Sequence, residues 1–106
     1  MPKYLYQVSY TQEGLKGLLK EGGSQRREAV ENMVTALGGS LEVFYYAFGD
    51  ADLYFIVDMP DDTSVTAASL TVGASGAASI KTTVLIPPET VDDATGKAVN
   101  YRPPAS

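Results

Sequence analysis

The residues most able to carry acid–base or metal chemistry are five aspartates in the stretch FGDADLYFIVDMPDD: Asp50, Asp52, Asp58, Asp61 and Asp62. Paired carboxylates act as general acid and base in glycoside hydrolysis, and as ligands of hard metal ions. Asp52 and Asp58 flank a stretch typical of one β-strand, so the rise per residue separates them by roughly 20 Å. Glycosidase pairs lie about 5 to 10 Å apart, so these two cannot act together within one subunit.

Most of these aspartates have a structural explanation. Asp61 and Asp62 follow Pro60 and open a predicted helix, where acidic side chains complement the positive end of the helix dipole. Asp50 lies in a tight connection, in which aspartate is favoured for its turn-forming hydrogen bonds. Asp58 marks the end of the strand, so none of these four is a strong catalytic candidate.

Asp52 differs because it enters a strand of large apolar residues, where aspartate is uncommon. The favoured interpretation is that its carboxylate accepts hydrogen bonds from turn amides and fixes the hairpin. The alternative is that Asp52 is an acid, a base or a ligand anchor at the mouth of a pocket. We expect no metal here, because a chain without histidine or cysteine offers no nitrogen or sulfur ligand to join the aspartates.

Two arginines open the longest predicted helix. Arg26 and Arg27 oppose the helix dipole at this position, which is a reason to look for a function. Two guanidinium groups beside unpaired backbone amides would bind a carboxylate or a phosphate, and Lys16 would join them if the preceding short helix folds back. The favoured alternative is that the arginines form weak surface ion pairs with acids such as Glu28 or Glu31.

The adjacent residues Tyr45 and Tyr46 lie in a predicted strand, so one phenol points to each face of the sheet. One is expected to meet the helices, or a pocket beneath them, and the other to meet a partner subunit. Tyr10 ends the first strand in the same region. Most such tyrosines are core or interface residues with a hydroxyl at the edge. The candidate ligand-binding residues, of which only Asp52 is also a catalytic candidate, are Tyr10, Lys16, Arg26, Arg27, Tyr45, Tyr46 and Asp52.

The composition excludes several classes of protein. The net charge is -5, and there is no histidine and no cysteine. A nucleic-acid partner is not expected without a basic stripe, and a histidine-based hydrolase triad or a disulfide framework is impossible. No apolar run approaches the length of a membrane span, and the first residues do not resemble a signal peptide. We therefore expect a cytoplasmic protein with no cofactor and no membrane partner.

Periodicity and turn residues predict the element order β-α-β-β-α-β. The predicted strands cover residues 3–10, 41–48, 53–58 and 80–86. Thr11 is predicted to cap a short helical stretch, Ser24 to cap the longest helix, and a helix of small residues covers about 63–72. This order predicts an α+β, ferredoxin-like fold, with an antiparallel sheet and both helices on one face. Residues 1–86 form this domain, and the Pro-rich residues 87–106 are predicted to be an extended tail.

Both faces of the predicted sheet are apolar, although two helices can cover only one. In the second strand the large residues divide between the faces: Leu41, Val43 and Tyr45 against Phe44, Tyr46 and Phe48. A bare apolar face is uncommon in monomers, so we expect a homodimer or higher homo-oligomer that packs sheet to sheet. The alternative is a tyrosine-rich face that stays hydrated.

Several segments together resemble the GYD-domain family, small bacterial proteins of unassigned function. These segments are YTQEGLK, the arginine pair, LGG, FYYAFGDAD and VDMPDD, between Tyr4 and Ile86. The resemblance implies a dimeric α/β barrel and no particular reaction, and it leaves the tail outside the family core. Asp52 coincides with the family's aspartate. The family's Gly-Tyr-Asp-like segment appears here as Gly49-Asp50-Ala51-Asp52, in which Ala51 replaces the middle residue, so any contribution of that position to a site is lost here.

Two hypotheses for the function follow. The preferred one is a small dimer that binds a small ligand, which could be anionic, or acts as an interaction module. The alternative is a cofactor-free enzyme acting on a small aromatic substrate, like the monooxygenases and isomerases of similar fold, with Asp52 as base and a tyrosine or arginine as oxyanion stabiliser. A buried Asp52 that faces a pocket would favour the enzyme, whereas one bonded to backbone amides would favour the module.

Overall fold

A computed structural model of the chain describes residues 1–105. The elements in chain order are β1 (Lys3–Tyr10), α1 (Gln12–Glu21), α2 (Gly23–Ala36), β2 (Ser40–Tyr46), β3 (Leu53–Asp58), α3 (Asp62–Ala74), β4 (Ala78–Leu85) and α4 (Pro88–Thr95). The protein is α+β, with one sheet of four strands in the order β2-β3-β1-β4. All three strand pairs are antiparallel.

The core lies between one face of the sheet and two helices. Alternate residues of β1 oppose alternate residues of β3, so their buried side chains share a face. Val34 of α2 and Val65 of α3 belong to the same buried cluster. These helices therefore cover the face that carries Tyr4, Tyr6, Val8, Leu53, Phe55 and Val57.

A β-bulge in β2 changes the faces that strict alternation predicts. Leu41 opposes Val57, but Val43 opposes Ile56, so the register shifts between Leu41 and Val43. Leu41 therefore packs on the core, while Val43 and Tyr45 lie on the other face. The prediction that placed Leu41 on one face with Val43 and Tyr45 is wrong for Leu41, because the bulge adds a residue to one strand only.

The helix starts agree with the sequence at two positions and differ at one. The Thr11 side chain caps α1 and the Asp61 side chain caps α3, as predicted. Ser24 is not a cap, because α2 begins at Gly23 and Gly22 holds the capping position with φ of 85°. Glycine adopts this left-handed conformation without steric cost. Within residues 1–105 every helix is too short or too polar for a membrane span.

The sequence predicts an extended segment after β4, and this prediction is wrong for part of the segment. Pro88 opens α4, which agrees with the preference of proline for the first position of a helix. The described part of the chain therefore has four helices, of which α4 has no buried residue. The radius of gyration is 17.0 Å, whereas a compact chain of this length has about 13 Å. Residues 86–105 are exposed and form an arm; the division of the chain at residue 86 stays a prediction.

The face of the sheet opposite the helices has an apolar centre and a charged end. Ile56 lies between its cross-strand neighbours Leu5 and Val43, and Tyr45 opposes Tyr54. Val43 is 37% exposed and Tyr45 is 71% exposed. The charged end is an ion cluster in which Lys3 pairs with Asp58 and Glu42. We call this surface the uncovered face.

Candidate functional site

A cavity of about 230 Å³ lies between the covered face of the sheet and helices α2 and α3. Its lining is mostly apolar, and each of the three layers contributes to it. The main lining residues are Tyr6, Val8, Leu53 and Phe55 of the sheet, Ala29, Val30 and Met33 of α2, and Ala68, Thr71 and Val72 of α3.

The small side chains of α3 account for the empty space. The sequence predicts that a helix of alanine, serine, threonine and valine packs closely on the sheet. In the structure Val65 reaches the core, but Ala68 and Thr71, further along α3, line the cavity instead of filling it. The strand positions that face α3 already carry large side chains such as Tyr6 and Phe55. Filling the remaining space would therefore require larger side chains on α3.

Stacked aromatic rings form one wall of the cavity. The ring centroids of Tyr6 and Phe55 are 4.8 Å apart with an interplanar angle of 25°. Phe44 stacks on Phe55 from the neighbouring strand, with centroids 5.7 Å apart. The Tyr6 hydroxyl donates a hydrogen bond of 3.2 Å to the Val65 carbonyl, so its one buried polar atom is satisfied. The wall therefore presents rings without an unpaired hydroxyl.

One edge of the cavity is polar and carries a positive charge. Tyr10 and Arg26 line this edge, and the Arg26 side chain is 38% exposed. Burial raises the pKa of Tyr10, and the neighbouring Arg26 and Tyr46 partly offset this rise. Burial, followed by the influence of Tyr10, raises the pKa of Tyr46 to about 12. Both phenols therefore keep their protons at neutral pH, so each hydroxyl is able to donate a hydrogen bond.

Contacts with the backbone fix these tyrosines in place. The Tyr46 hydroxyl donates to the Gly23 carbonyl at 3.1 Å, which joins the end of β2 to the start of α2. The end of β1 is held at Tyr10, whose amide donates to the Asp52 carboxylate at 2.8 Å. The next amide, that of Thr11, donates to the Ala77 carbonyl at 2.9 Å. The polar edge is therefore built by contacts between elements that are distant in sequence.

Asp52 has a structural contact that explains its place in an apolar strand. Its own amide donates to the Val8 carbonyl and its carbonyl accepts from the Ala47 amide, both at 2.9 Å. Its carboxylate accepts from Tyr10, so the predicted bond to a backbone amide is present, but the amide belongs to β1 and not to the hairpin turn. Asp52 is not among the residues that line the cavity.

The structure separates the remaining predicted residues from the cavity. Arg27 lies 3.6 Å from Glu31 and Lys16 lies 3.6 Å from Glu13, and both are exposed ion pairs on single helices. Tyr45 lies on the uncovered face of the sheet. Of the seven candidates, the structure thus brings together Tyr10, Arg26 and Tyr46. Asp52 contacts this group through the backbone amide of Tyr10.

Sequence reasoning missed the contribution of α3, which supplies Ala68, Thr71, Val72 and Ser75 to the lining. The signal was available as a helix of small residues opposite strands of large aromatic residues. This pattern fits close packing as well as a cavity, because a one-dimensional pattern does not give the distance between two layers.

The cavity is suited to binding rather than to proton transfer. Among the residues that the structure describes, no carboxylate lines it, and the tyrosines there hold their protons. No group of three or more carboxylates in residues 1–105 lies close enough to hold a metal ion. The arrangement can enclose an apolar body and offer hydrogen-bond donors at one edge.

Fold and site together define a small α+β domain with an apolar cavity between sheet and helices and a cationic edge. The family model of the GYD domain matches residues 4–95, so the chain belongs to the GYD-domain family. This confirms the resemblance, and the match extends past residue 86 into α4. No curated protein and no solved structure matches the chain.

Proposed function

We propose that this protein is a homodimeric module that binds a small molecule in the cavity of each subunit. The observation that carries the proposal is the apolar cavity of about 230 Å³ with one polar, cationic edge. An apolar cavity of about 150 Å³ stays dry and takes up one benzene molecule. The space here would therefore hold about one ring and a few further carbon atoms.

A cavity-filling substitution tests this proposal. Ala68 is buried on α3 and lines the cavity, whereas the next residue, Ala67, is exposed. A neutral probe of suitable size is 3-phenylpropan-1-ol. In an NMR titration it should shift the amide signals of cavity residues such as Phe55 and Met33 in the wild-type protein and in Ala67→Leu.

Ala68→Leu should abolish these shifts without loss of stability, because the added side chain occupies the space that the probe needs. Stability is measured by urea unfolding of the same variants. If Ala68→Leu binds the alcohol as well as Ala67→Leu does, or if the wild-type protein shows no shifts at cavity residues, the proposal is contradicted.

The enzyme alternative finds no support in the site. Asp52, its candidate base, is bonded to the Tyr10 amide and lies outside the lining of the cavity. The groups at the cavity edge are a guanidinium and protonated phenols, which are donors and not bases. A binding module needs only the contacts that these groups make.

We further propose a ferredoxin-like topology that pairs into a dimeric α/β barrel. The strand order β2-β3-β1-β4, with α2 and α3 on one face, supports the topology. The uncovered face supports the pairing, because its apolar centre around Ile56 would otherwise contact water. A second copy of the chain is the proposed partner, since an identical apolar sheet matches it in size and twist around a two-fold axis. A cytoplasmic location stays a prediction.

Two exposed apolar residues on different surfaces test the dimer. Val43 is partly exposed on the uncovered face, and Leu70 is 69% exposed on α3. Val43→Lys should shift the protein to monomers in sedimentation equilibrium, because two lysines would be buried in the interface. Leu70→Lys should remain dimeric. A monomeric wild-type protein, or dimers of equal stability for both variants, would rule out this interface.

A further inference from the structure

We infer that the ligand is an amphipathic anion: an aromatic ring on a short chain that ends in a carboxylate. The ring lies against Tyr6 and Phe55, and the carboxylate lies at the edge formed by Arg26 and Tyr10. This inference rests on the proposed binding function and adds the chemical class of the ligand.

The charge at the cavity edge favours an anion. Arg26 is the one charged residue among those that line the cavity in the described part of the chain. Its Nη1 atom makes a long contact of 3.4 Å with the carboxylate of Glu21, and both side chains are partly exposed. A guanidinium has five N–H donors arranged in a fork that matches a carboxylate. The long ion pair with Glu21 and the interaction with Tyr10 use only part of this donor capacity, so further N–H donors are left for a ligand.

Tyr10 adds a neutral donor at the same edge. Its side chain lines the cavity and interacts with Arg26, and its pKa is raised by burial, so the hydroxyl keeps its proton. The Tyr46 hydroxyl already donates to the Gly23 carbonyl. The carboxylate would therefore receive bonds from Arg26 and Tyr10, with Tyr46 as the support that holds this edge against α2.

The start of α2 adds positive potential, and the acid that pairs with Arg26 there is Glu21, which precedes the helix. No side chain caps this helix and its first turn contains no acidic residue, whereas the first turns of α1 and α3 contain Glu13 and Asp62. Arg26 lies in this region, where a cation is unfavourable unless an anion offsets it. The net charge of the whole chain is -5, so the positive edge is a local feature of an acidic molecule.

The opposite end of the cavity favours an aromatic ring. Tyr6 and Phe55 present stacked rings, on which an aromatic ligand can stack in an offset arrangement. Met33 lines the same space, and its thioether makes favourable contacts with ring edges. A compact, doubly charged anion such as inorganic phosphate would leave this apolar wall unfilled, so a carboxylate with an aromatic body fits better.

Two probes that differ only in charge test the inference. Isothermal titration of the full-length protein compares 3-phenylpropionate with 3-phenylpropan-1-ol in the wild-type protein and in Arg26→Gln, Tyr10→Phe and Arg27→Gln. The last variant is the matched control, because it removes an equal charge one residue along the same helix, outside the cavity. The wild-type protein should bind the acid about tenfold or more tightly than the alcohol, as expected for charge-assisted hydrogen bonds.

Arg26→Gln should reduce this preference to about unity, because acid binding weakens far more than alcohol binding, while Arg27→Gln keeps the preference. Tyr10→Phe should reduce it in part. If the wild-type protein binds acid and alcohol equally, or if Arg27→Gln loses as much as Arg26→Gln, the carboxylate assignment is overturned. Alcohol binding that Ala68→Leu abolishes would then still support the proposed function. If neither compound binds, both proposals are wrong.

Discussion

At the scale of single residues, Asp52 shows how a carboxylate in an apolar strand can be structural. Because Asp52 coincides with the aspartate of the family resemblance and lies in an apolar strand, the sequence makes it a candidate for catalysis. The structure instead uses its carboxylate to receive the Tyr10 amide at the end of β1, where the ladder between β1 and β3 stops. Asp52 therefore acts on the site indirectly, by holding the strand end that carries the Tyr10 side chain.

Replacement of Asp52 by alanine should destabilise the fold. Asp52→Ala leaves the partly buried Tyr10 amide without its acceptor, so the free energy of unfolding should fall by about 1 to 3 kcal/mol. Asp50→Ala, at an exposed position in the same hairpin, should change it by less than about 0.5 kcal/mol. Urea unfolding measures both variants, and equal effects would refute the role assigned to the Asp52 carboxylate.

The spacing of residues in α2 could have identified Arg26 as the cavity arginine. Arg26, Ala29, Val30 and Met33 follow the i, i+3, i+4, i+7 pattern of one helix face, and all four line the cavity. Arg27 is rotated away by one residue and pairs with Glu31 instead. The spacing in the sequence is therefore sufficient to predict that Arg26, and not Arg27, shares a helix face with the apolar residues. It does not give the depth of the space that Arg26 borders.

At the scale of elements, the strands and most helix ends were predictable because they depend on local alternation and capping. The bulge between Leu41 and Val43 was not, since it depends on how β2 pairs with β3. The prediction of an extended tail is wrong for α4, because Pro88 opens a helix and the proline-rich composition of the segment does not reveal this. The bulge is a matter of strand pairing, whereas α4 reflects a local preference of Pro88.

Two glycines of α1 offer a matched test of the packing between α1 and the segment before β4. A Cβ atom at Gly14 would lie 2.0 Å from the Ala77 carbonyl oxygen, whereas one at Gly17 would meet nothing within 4 Å. Gly14→Ala should lower the free energy of unfolding by about 1 to 3 kcal/mol or more, because backbone atoms must move. Gly17→Ala should raise it by up to about 1 kcal/mol through helix propensity.

Thermal or urea unfolding of both variants gives the comparison. Stabilisation by Gly14→Ala would mean that α1 does not pack against the Ala77 carbonyl as the structure describes.

The start of α3 should give the protein a pH-dependent stability. The backbone amide of Ser64 donates to the Asp61 carboxylate at 2.8 Å, and this bond holds the pKa of Asp61 below its ordinary value of 3.8. A lowered pKa in the folded state stabilises the fold above pH 3.8 and loses this effect as the pH falls through the folded pKa. Asp61→Ala should therefore lower the urea midpoint at pH 7 and change it less at pH 2.

Asp61→Asn is the control, since it keeps the capping oxygen but cannot titrate. It should behave like the wild-type protein at pH 7. A destabilisation by Asp61→Ala that is as large at pH 2 as at pH 7 would contradict the electrostatic part of this cap.

At the scale of the whole molecule, the elongated shape and the uncovered face both point to assembly. The arm carries exposed apolar residues, among them Val91, Val99 and Tyr101, which make no buried contact in the single chain. In the proposed homodimer a second copy of the chain would cover this apolar surface, which would otherwise contact water. The sequence could predict the apolar face from alternation, but it could not predict the cavity, which depends on the distance between layers.

Removal of the arm should weaken the dimer and leave the single subunit intact. If the arm wraps the partner subunit in the proposed dimer, a chain that ends at Ile86 should have a dimer dissociation constant raised by roughly tenfold or more. A chain that ends at Thr95 retains α4, so comparing the two truncations separates the contribution of α4 from that of the residues after it. Sedimentation equilibrium of the three lengths measures this effect, and an unchanged dissociation constant at both truncations would rule out the arm as part of the interface.

The measurement that tests the central claim most directly is a crystal structure of the full chain under xenon pressure. Xenon enters dry apolar cavities, so its electron density reports both the space and its character. The account predicts xenon between the sheet and helices α2 and α3, in contact with Phe55 and Met33. A space closed by side chains, or filled by ordered water, would contradict it.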